Sequence, residues 1–567
     1  MDSSFLRTYK ASSQGPDRDQ SIALLAMAFP TLMIPPFSSD SLPGYWPGVS
    51  ISDLKGPPST SRVLGHEYDL SREDDVGDLE FKWLREFGPT WKVRAAFGHD
   101  AVMTADPKAL QHIFHKSGYT YAKQRSQNHI GYLMSGPNIV WAQDETHQRH
   151  RKIMNPAFSA AQLRSFLPMF QNTTQRLVDK WRAELSSKKS LDVMVNSWVS
   201  RAALDIIGQA AFDYDYKGLD DNEESPLAKA YHGIFKDIGH MLPMATMLFR
   251  ATWDYFPQSI LNLCKYIPAD PFTRVRTVNE LYRQYGKQII REKRPEVDAE
   301  KRGHSKDNMS ILINANESSD PKTRLDDEEL MAQMYTLTLA GHETTATTIS
   351  FLLYELARNP EYQRRMREEI LEARAKVAQR GGVNFTMEDL DGMTVCLNAI
   401  KETLRMHPII TYLPRVATKD DVLPLAYPVV TTTGETLSEI PIRKGQIVYT
   451  SLIAYNRLQQ VWGDDAHVWN PDRFSRIDTG KQTYVGVFSN LMTFSAGIRA
   501  CIGWRFAVIE MQVLVSELVG TFQYSLQDGN PAKSDVQRAP SGVAMVPLLR
   551  GNHDIGTALP LRVELVD

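Results

Sequence analysis

The sequence predicts a mainly α-helical fold with small β-sheets, and three features carry that expectation. Apolar residues recur at helical spacing from about residue 70 onward. The longest such stretch, LDDEELMAQMYTLTLAGHETTATTISFLLYELARNP, predicts a helix of roughly 33 residues at about 326–358, against about 11–12 for an average helix. Strand-like runs are short and confined, as in VLPLAYPVV and GQIVYTS between about 422 and 450, with further pieces near the C-terminus.

At about 150 residues per domain, a chain of 567 residues suggests three or four domains. No long low-complexity linker divides it, so one large domain over 55–567 behind an N-terminal segment, 1–54, fits as well. Hydrophobic residues at 42% and charged residues at 23% suffice for a large core. A net charge of −3 without any long Lys/Arg run excludes a general nucleic-acid binder. Three cysteines, Cys264, Cys396 and Cys501, form neither a disulfide framework nor a C-x-x-C pair. The expected compartment is reducing, as on the cytosolic side of a membrane.

Taken in order, the chain opens with a polar stretch and then SIALLAMAFPTLMIPPF, Ser21 to Phe37. A membrane-spanning helix needs about 17–25 apolar residues. This run is at the short limit, and Pro30 interrupts it. It reads as a weak membrane anchor, an uncleaved signal-anchor, or a segment packed on the domain, and no clear small-x-small cleavage site follows. The Pro/Gly-rich LPGYWPG and LKGPPSTS read as a stiff connector. His147-Gln148-Arg149-His150-Arg151-Lys152 is helical up to Pro156 and reads either as a solvated basic face or as an anion clamp. Residues 292–308 are charged and read as a loop.

The long helix has Asp326 as N-cap and Glu329 placed for a capping box, and it stops at Asn359-Pro360. Its middle is apolar nearly all round, so it should cross the core. There sits Ala340-Gly341-His342-Glu343-Thr344-Thr345. Glycine costs a helix interior about 1 kcal/mol relative to alanine. A core acid needs a partner, and threonine hydroxyls bond back to the preceding turn. Together they make either a kinked, satisfied polar cluster or a groove that relays protons.

Leu397–Arg405 reads as a helix with Glu402 and Arg405 on one face; alone, that is a surface pair worth under about 1 kcal/mol. Arg473, in Trp469-Asn470-Pro471-Asp472-Arg473-Phe474, gains meaning if it joins them, because guanidinium forks grip carboxylates. Finally Phe494-Ser495-Ala496-Gly497-Ile498-Arg499-Ala500-Cys501-Ile502-Gly503 puts Cys501 at the mouth of a new helix, where backbone N–H groups favour thiolate. Cys264 and Cys396 read as inert core residues.

These segments resemble the cytochrome P450 family. F-S-A-G-I-R-A-C-I-G matches its haem-binding loop, A-G-H-E-T-T its oxygen-activation motif, E-T-L-R its E-x-x-R, and N-P-D-R-F its P-x-R-F segment, in family order over about residues 55–550. The resemblance implies the P450 fold, heme b and Cys501 as axial thiolate, whose electron push favours O–O cleavage. It implies Phe494, Gly497 and Gly503 as packing and turn residues of the loop, Glu343 and Thr344 as the proton-delivering acid–alcohol pair, and Ala340 and Gly341 as making room beside the haem. Glu402, Arg405 and Arg473 would be the structural triad, and Arg499, Arg151 and Arg415 would hold the propionates. His147 stands where the family often has Trp before that arginine, and a histidine can still donate to a propionate.

What the resemblance implies is a monooxygenase that hydroxylates or epoxidises a lipophilic small molecule with O2, with a terpenoid or other secondary metabolite as the expected substrate. Electrons would come from NADPH through a separate cytochrome P450 reductase. GPPS…LGHEYDL and DNMSILINANES are similar to fungal microsomal members, implying an endoplasmic reticulum membrane attachment through the N-terminal segment and a cytosol-facing domain. On that side the N-x-S/T sites at Asn172, Asn308, Asn316 and Asn384 stay unmodified. Ile409, Ile410, Thr411 and Leu413 are the expected substrate-pocket residues. The alternatives are a P450-fold isomerase or dehydratase and a non-enzymatic haem-binding module. Both fit poorly with an intact Glu343–Thr344 pair, which isomerase members usually lack.

Overall fold

Amphipathic and apolar segments of the sequence become long helices wrapped around one apolar core. The structure, a computed structural model, describes residues 50–220, 225–228, 243–268, 270–300, 308–316, 324–477, 482–527, 535–552 and 555–566. The helices that position the site are α1 (Arg125–Ser135), α2 (Asp144–Met154), α3 (Ala160–Leu185), α4 (Val195–Phe212), α5 (Asp270–Glu300), α6 (Asp327–Arg358), α7 (Pro360–Gln379), α8 (Thr394–Met406) and α9 (Trp504–Thr521). The expected mainly helical fold with small sheets is what forms.

The centre is α6. The Glu329 N–H donates to Asp326 Oδ1 at 2.7 Å, and the Asp326 N–H donates to Glu329 Oε2 at 3.1 Å, which is the capping box read from the sequence. At its far end the Asn359 side chain caps the Glu355 carbonyl at 2.8 Å, and Pro360 opens α7. Between these ends, Leu330, Met334, Ile349, Leu353 and Leu356 are all buried. Each such side chain contributes about 1.5–3 kcal/mol relative to exposure.

Small residues let α4 approach α6 closely. Ala202, Ala203, Ile206, Ile207 and Ala210 are buried there, and a Cβ on Gly341 would come within 2.9 Å of Ile207 Cδ1. Gly341 therefore permits this close packing against Ile207. Ala340 is the residue exposed beside it. From the other side, α9 packs Phe506 edge-to-face on Phe170 of α3, with centroids 5.0 Å apart.

The main sheet has the order β1-β2-β5-β4-β3, with β1 (Thr90–Arg94), β2 (Asp100–Thr104), β3 (Tyr121–Lys123), β4 (Tyr412–Ala417) and β5 (Ile447–Ser451). Only β2 and β5 pair in parallel. The run VLPLAYPVV forms one arm of an antiparallel hairpin, Asp421–Val430 with Thr436–Ile442. A second hairpin, Val536–Ser541 with Ala544–Leu549, lies beside the start of β4.

Two expectations change. Residues 292–300 are the end of α5, not a loop, and 301–307 lie outside the described residues. High charge misled there, because Arg, Lys and Glu are good helix formers, and the buried Ile289, Ile290 and Lys293 anchor that end. The connector is also docked earlier than its boundary at 54 implies. Ile51 and Leu54 are buried, and the Lys55 carbonyl accepts from the Lys92 N–H at 2.9 Å. The apolar segment 21–37 lies outside the described residues, among which no helix is long and apolar enough to cross a membrane.

Candidate active site

The cysteine loop is a tight fold-back. The Cys501 N–H donates to the Phe494 carbonyl at 2.9 Å, closing the turn. Gly497 has φ +62°, and a Cβ there would collide with the Phe114 carbonyl oxygen, so only glycine fits. Phe494 is buried against Phe488. Gly503 is the N-cap of α9 and has no steric need for glycine, since a Cβ would meet Phe158 at an ordinary 3.7 Å. Its role is to bond Cys501 through its backbone.

Cys501 faces open space, unlike the buried Cys264 and Cys396. Dense protein surrounds its other sides, and this burial pushes the thiol up. The Gly503 backbone bond and the nearby Arg151 draw it back only in part. The helix start contributes that Gly503 bond, since Gly503 is the N-cap of α9, and burial outweighs it. The other two cysteines, raised by burial, behave as inert core residues.

Behind the loop, Glu402, Arg405 and Arg473 do meet, fully removed from solvent. Arg405 grips Glu402 with Nε to Oε2 at 2.8 Å and Nη2 to Oε1 at 2.7 Å. Arg473 Nε reaches Glu402 Oε1 at 3.4 Å, while its other nitrogens bind Asp465 and the Trp462 carbonyl. Arg405 Nη1 also donates to the carbonyls of Asn456 and Ala466, at 2.7 and 2.6 Å. No motif marks Asn456, yet it is the link to the loop: its Oδ1 accepts from the Met492 N–H at 3.0 Å and its Nδ2 donates to Thr493 Oγ1 at 2.9 Å. The exposed-pair reading of E-x-x-R is thus replaced by a buried network.

The basic run in α2 divides by face. Arg149 and His150 turn to Glu329 at the start of α6, His150 Nε2 at 3.0 Å. Burial pushes Glu329 up, but His150 and Arg149 outweigh it and hold the carboxyl at about 2. His147 and Arg151, four apart and on one face, turn to the cysteine loop instead. Arg151 Nη1 donates to the Ala500 carbonyl at 2.9 Å, and His147 Nδ1 pairs with the Tyr119 hydroxyl at 2.7 Å.

There they join Arg499, Arg415 and Lys123. Lys123 and Arg415 stand directly opposite each other on β3 and β4, an arrangement that destabilises a sheet unless an anion balances it. Burial and the neighbouring Arg499 lower Arg415 to about 9, and burial, Arg499 and Arg415 push Lys123 well down. The guanidiniums still keep their protons at neutral pH, so the charges persist at a cost. Among the described residues none of the five forms an ion pair with a carboxylate; their donors go to carbonyls such as Pro414 and Ala142. Asp144 acts on Arg499 only at longer range. Such a set is suited to an anionic ligand.

On α6, the acid and the alcohol diverge. Thr344 Oγ1 donates to the Ala340 carbonyl at 2.7 Å. Glu343 Oε1 instead accepts from Ser200 Oγ of α4 at 2.8 Å and lies 3.2 Å from His342 Nε2. Ser200 carries no sequence signal, because it becomes relevant only when α4 packs on α6. Ile409 and Thr411 are buried, Ile410 and Leu413 partly so, all at or just before β4.

A family model described as Cytochrome P450 matches residues 56–549. The chain belongs to the cytochrome P450 family. Its relatives include cytochrome P450 monooxygenase 128 of Postia placenta, 31% identical over 90% of this chain and 92% of that protein. Ganoderic acid synthetase of Ganoderma lucidum is 32% identical over 84% and 88%, and cytochrome P450 monooxygenase claP of Ampulloclitocybe clavipes 29% over 91% and 93%. As a P450 monooxygenase it is an oxidoreductase that uses heme b, with NADPH supplying electrons through a reductase. The residues present fit that group. An open cysteine sulfur, a carboxylate-free set of cations for two propionates, and an exposed alanine inside the core helix are what a dianionic iron porphyrin requires.

Two consequences of this P450's site are measurable. Glu402→Ala leaves the Arg405 charge buried without its partner and should cost about 3–5 kcal/mol in denaturant unfolding; a loss below about 1 kcal/mol would mark the pair as no stronger than an exposed one. His147 is lowered by burial, then by Arg499, Lys123 and Arg151, from 6.5 to about 3. The unfolded chain therefore binds the extra proton first, and the stability His147 contributes is present above about pH 6.5 and lost as pH falls toward 3. Urea midpoints measured across that window should slope less in His147→Phe, and parallel slopes would remove His147 from the acid response.

Proposed function

We propose that Cys501 would hold the haem iron through its sulfur in a P450 that inserts one oxygen atom of O2 into a lipophilic small molecule, by hydroxylation or epoxidation. The open Cys501 sulfur beside the carboxylate-free cluster of Arg151, Arg415, Arg499, Lys123 and His147 carries this reading. When bound, the haem supplies dioxygen activation, and the thiolate supplies electron push.

This chain's residues position and protonate. Arg151, Arg415 and Arg499 would hold the propionates, with His147 available to donate to one of them. Glu343 takes up a proton at Oε1 on the side of Ser200 and His342. A change of rotamer then carries it towards Thr344, whose hydroxyl exchanges its bond to the Ala340 carbonyl for one that delivers the proton. Ile409, Ile410 and Leu413 hold an apolar substrate, with Thr411 among them. A terpenoid or other secondary metabolite suits that lining, and the name of the Ganoderma relative is in keeping with it. The reduced CO complex should show the thiolate-type Soret band; a histidine-type band in folded protein sinks the assignment. In the same preparation, Thr344→Ala should divert NADPH to hydrogen peroxide, and unchanged coupling would take Thr344 out of proton delivery.

The proposed location is the endoplasmic reticulum membrane, with the domain facing the cytosol and a separate cytochrome P450 reductase as partner. Beyond the apolar run 21–37, support comes from bare apolar side chains around Met244–Ala251 and 258–266: Met244, Ile260, Leu263 and Tyr266, the last two 61% and 67% exposed. An apolar surface of this kind belongs against lipid. Deleting residues 1–40 should weaken flotation with phospholipid vesicles, and adding Leu263→Asp with Tyr266→Asp should abolish the remainder. Equal flotation of the truncated chain with and without those two changes excludes this surface from membrane contact.

A further inference from the structure

A small cavity of about 50 Å³ lies where six parts of the chain meet. Glu67 comes from the helix His66–Leu70, Gln127 from the first turn of α1, and Arg250 and Asp254 from Met244–Ala251 and just beyond. Tyr412, the first residue of β4, Gly542, in the turn of the Val536–Ser541 hairpin, and Ala96 also line it. No residue of the cysteine loop takes part. At about 10–15 Å³ for each water-sized group, the space holds about three to five such groups. That is a functional group, not a ring skeleton.

Most of its acceptors are already engaged, the exception being Gln124 Oε1, which is buried and meets no donor. Asp254 accepts from the Ser126 N–H at 2.7 Å, Gln124 Nε2 at 2.8 Å and Ser126 Oγ at 3.1 Å. Gln127 Oε1 accepts from Arg250 Nη2 at 3.3 Å, and Glu67 Oε1 from the Tyr449 hydroxyl at 3.0 Å. Donors remain. Arg250 Nε is buried and meets no acceptor, and among the described residues Arg250 forms no ion pair. It is the one cation in the lining. Burial raises Glu67, against the lowering pull of the Tyr449 hydroxyl and of Arg250. A part-buried guanidinium with an unmet Nε, whose carboxylate neighbour Glu67 acts on it only at longer range, can take a further anionic oxygen.

The cavity is continuous with the strand start assigned to the substrate. Tyr412 follows Thr411, whose N–H donates to the Val543 carbonyl at 3.0 Å next to Gly542, and Ile410 bridges to Ala544. We propose that this cavity takes the carboxylate of an otherwise apolar substrate, with Arg250 as its charge partner and Tyr412 and Glu67 beside it. The inference deepens the monooxygenase reading and rests on it. The apolar body would lie along Ile409, Ile410 and Leu413 while the acid group is held at the cavity.

The test is a spectral titration of the holoenzyme with paired free acids and methyl esters: straight-chain acids of graded length and one tetracyclic triterpenoid acid. Wild type should bind at least one free acid about 10- to 100-fold more tightly than its ester, the worth of a charge-assisted hydrogen bond of about 1.5–3 kcal/mol. Arg250→Gln should erase the preference, and Arg250→Lys should restore part of it. The thiolate-type CO band of each variant reports that fold and haem are intact. Loss of that band in wild type refutes the parent reading, whatever the ligands do. With the band present, the absence of an acid preference across the whole series, or a preference that survives Arg250→Gln, overturns the carboxylate site.

Discussion

Arg405 carries a permanent charge into a place that no water reaches, and the cysteine loop is built on how that charge is satisfied. Glu402, one turn earlier on α8, neutralises it through two parallel bonds. Nη1 and the second hydrogen of Nη2 would still be stranded, so the carbonyls of Asn456, Ala466 and Val468 are drawn in. Once Asn456 is fixed by its carbonyl, its side chain fixes Met492 and Thr493. The Phe494 carbonyl follows next in the chain and receives the Cys501 N–H. The loop is therefore held by a charge it does not touch. Apolar residues could pack that volume as well, but they would supply none of these directional bonds.

The second constraint is a surplus of positive charge around the loop. Lys123 and Arg415 face each other across β3 and β4, with Arg499, Arg151 and His147 close by. A fold selected for stability alone would place carboxylates here, as it does for Arg149 and His150 at Glu329. The same helix, α2, thus shows both solutions: one face pairs its cations internally and the other leaves them for a ligand. Lys123 and Tyr119 belong to this group and lie in no motif, because only sheet pairing and helix docking bring them in.

Several parts of this arrangement are legible in the sequence for local reasons. The box at Asp326 and Glu329, the stop at Asn359-Pro360 and the shared face of Glu402 and Arg405 follow from helix geometry over a few residues. Gly497 announces a turn that no other residue can make. Charge density is a poorer guide, and it reads 292–300 as loop where buried Ile289, Ile290 and Lys293 hold a helix. Gly341 is visible as an anomaly, but its reason is the approach of Ile207 from α4. The direction of Glu343 towards Ser200 is likewise invisible, since one helix cannot show which neighbour its side chain meets.

The sequence by itself determined the helical class, the long central helix with its caps, the cysteine loop and the family to which these motifs belong. Those properties depend on backbone periodicity, turn sterics and residue types at fixed spacing, all of which are local. Only the tertiary structure decided which charges are buried, which are paired and which are left open, because desolvation and partner distance are properties of packing. It turned an ordinary E-x-x-R pair into the anchor of the loop and divided one basic run between a carboxylate and a ligand. It also set Arg250, unremarked in the sequence, beside a cavity of its own.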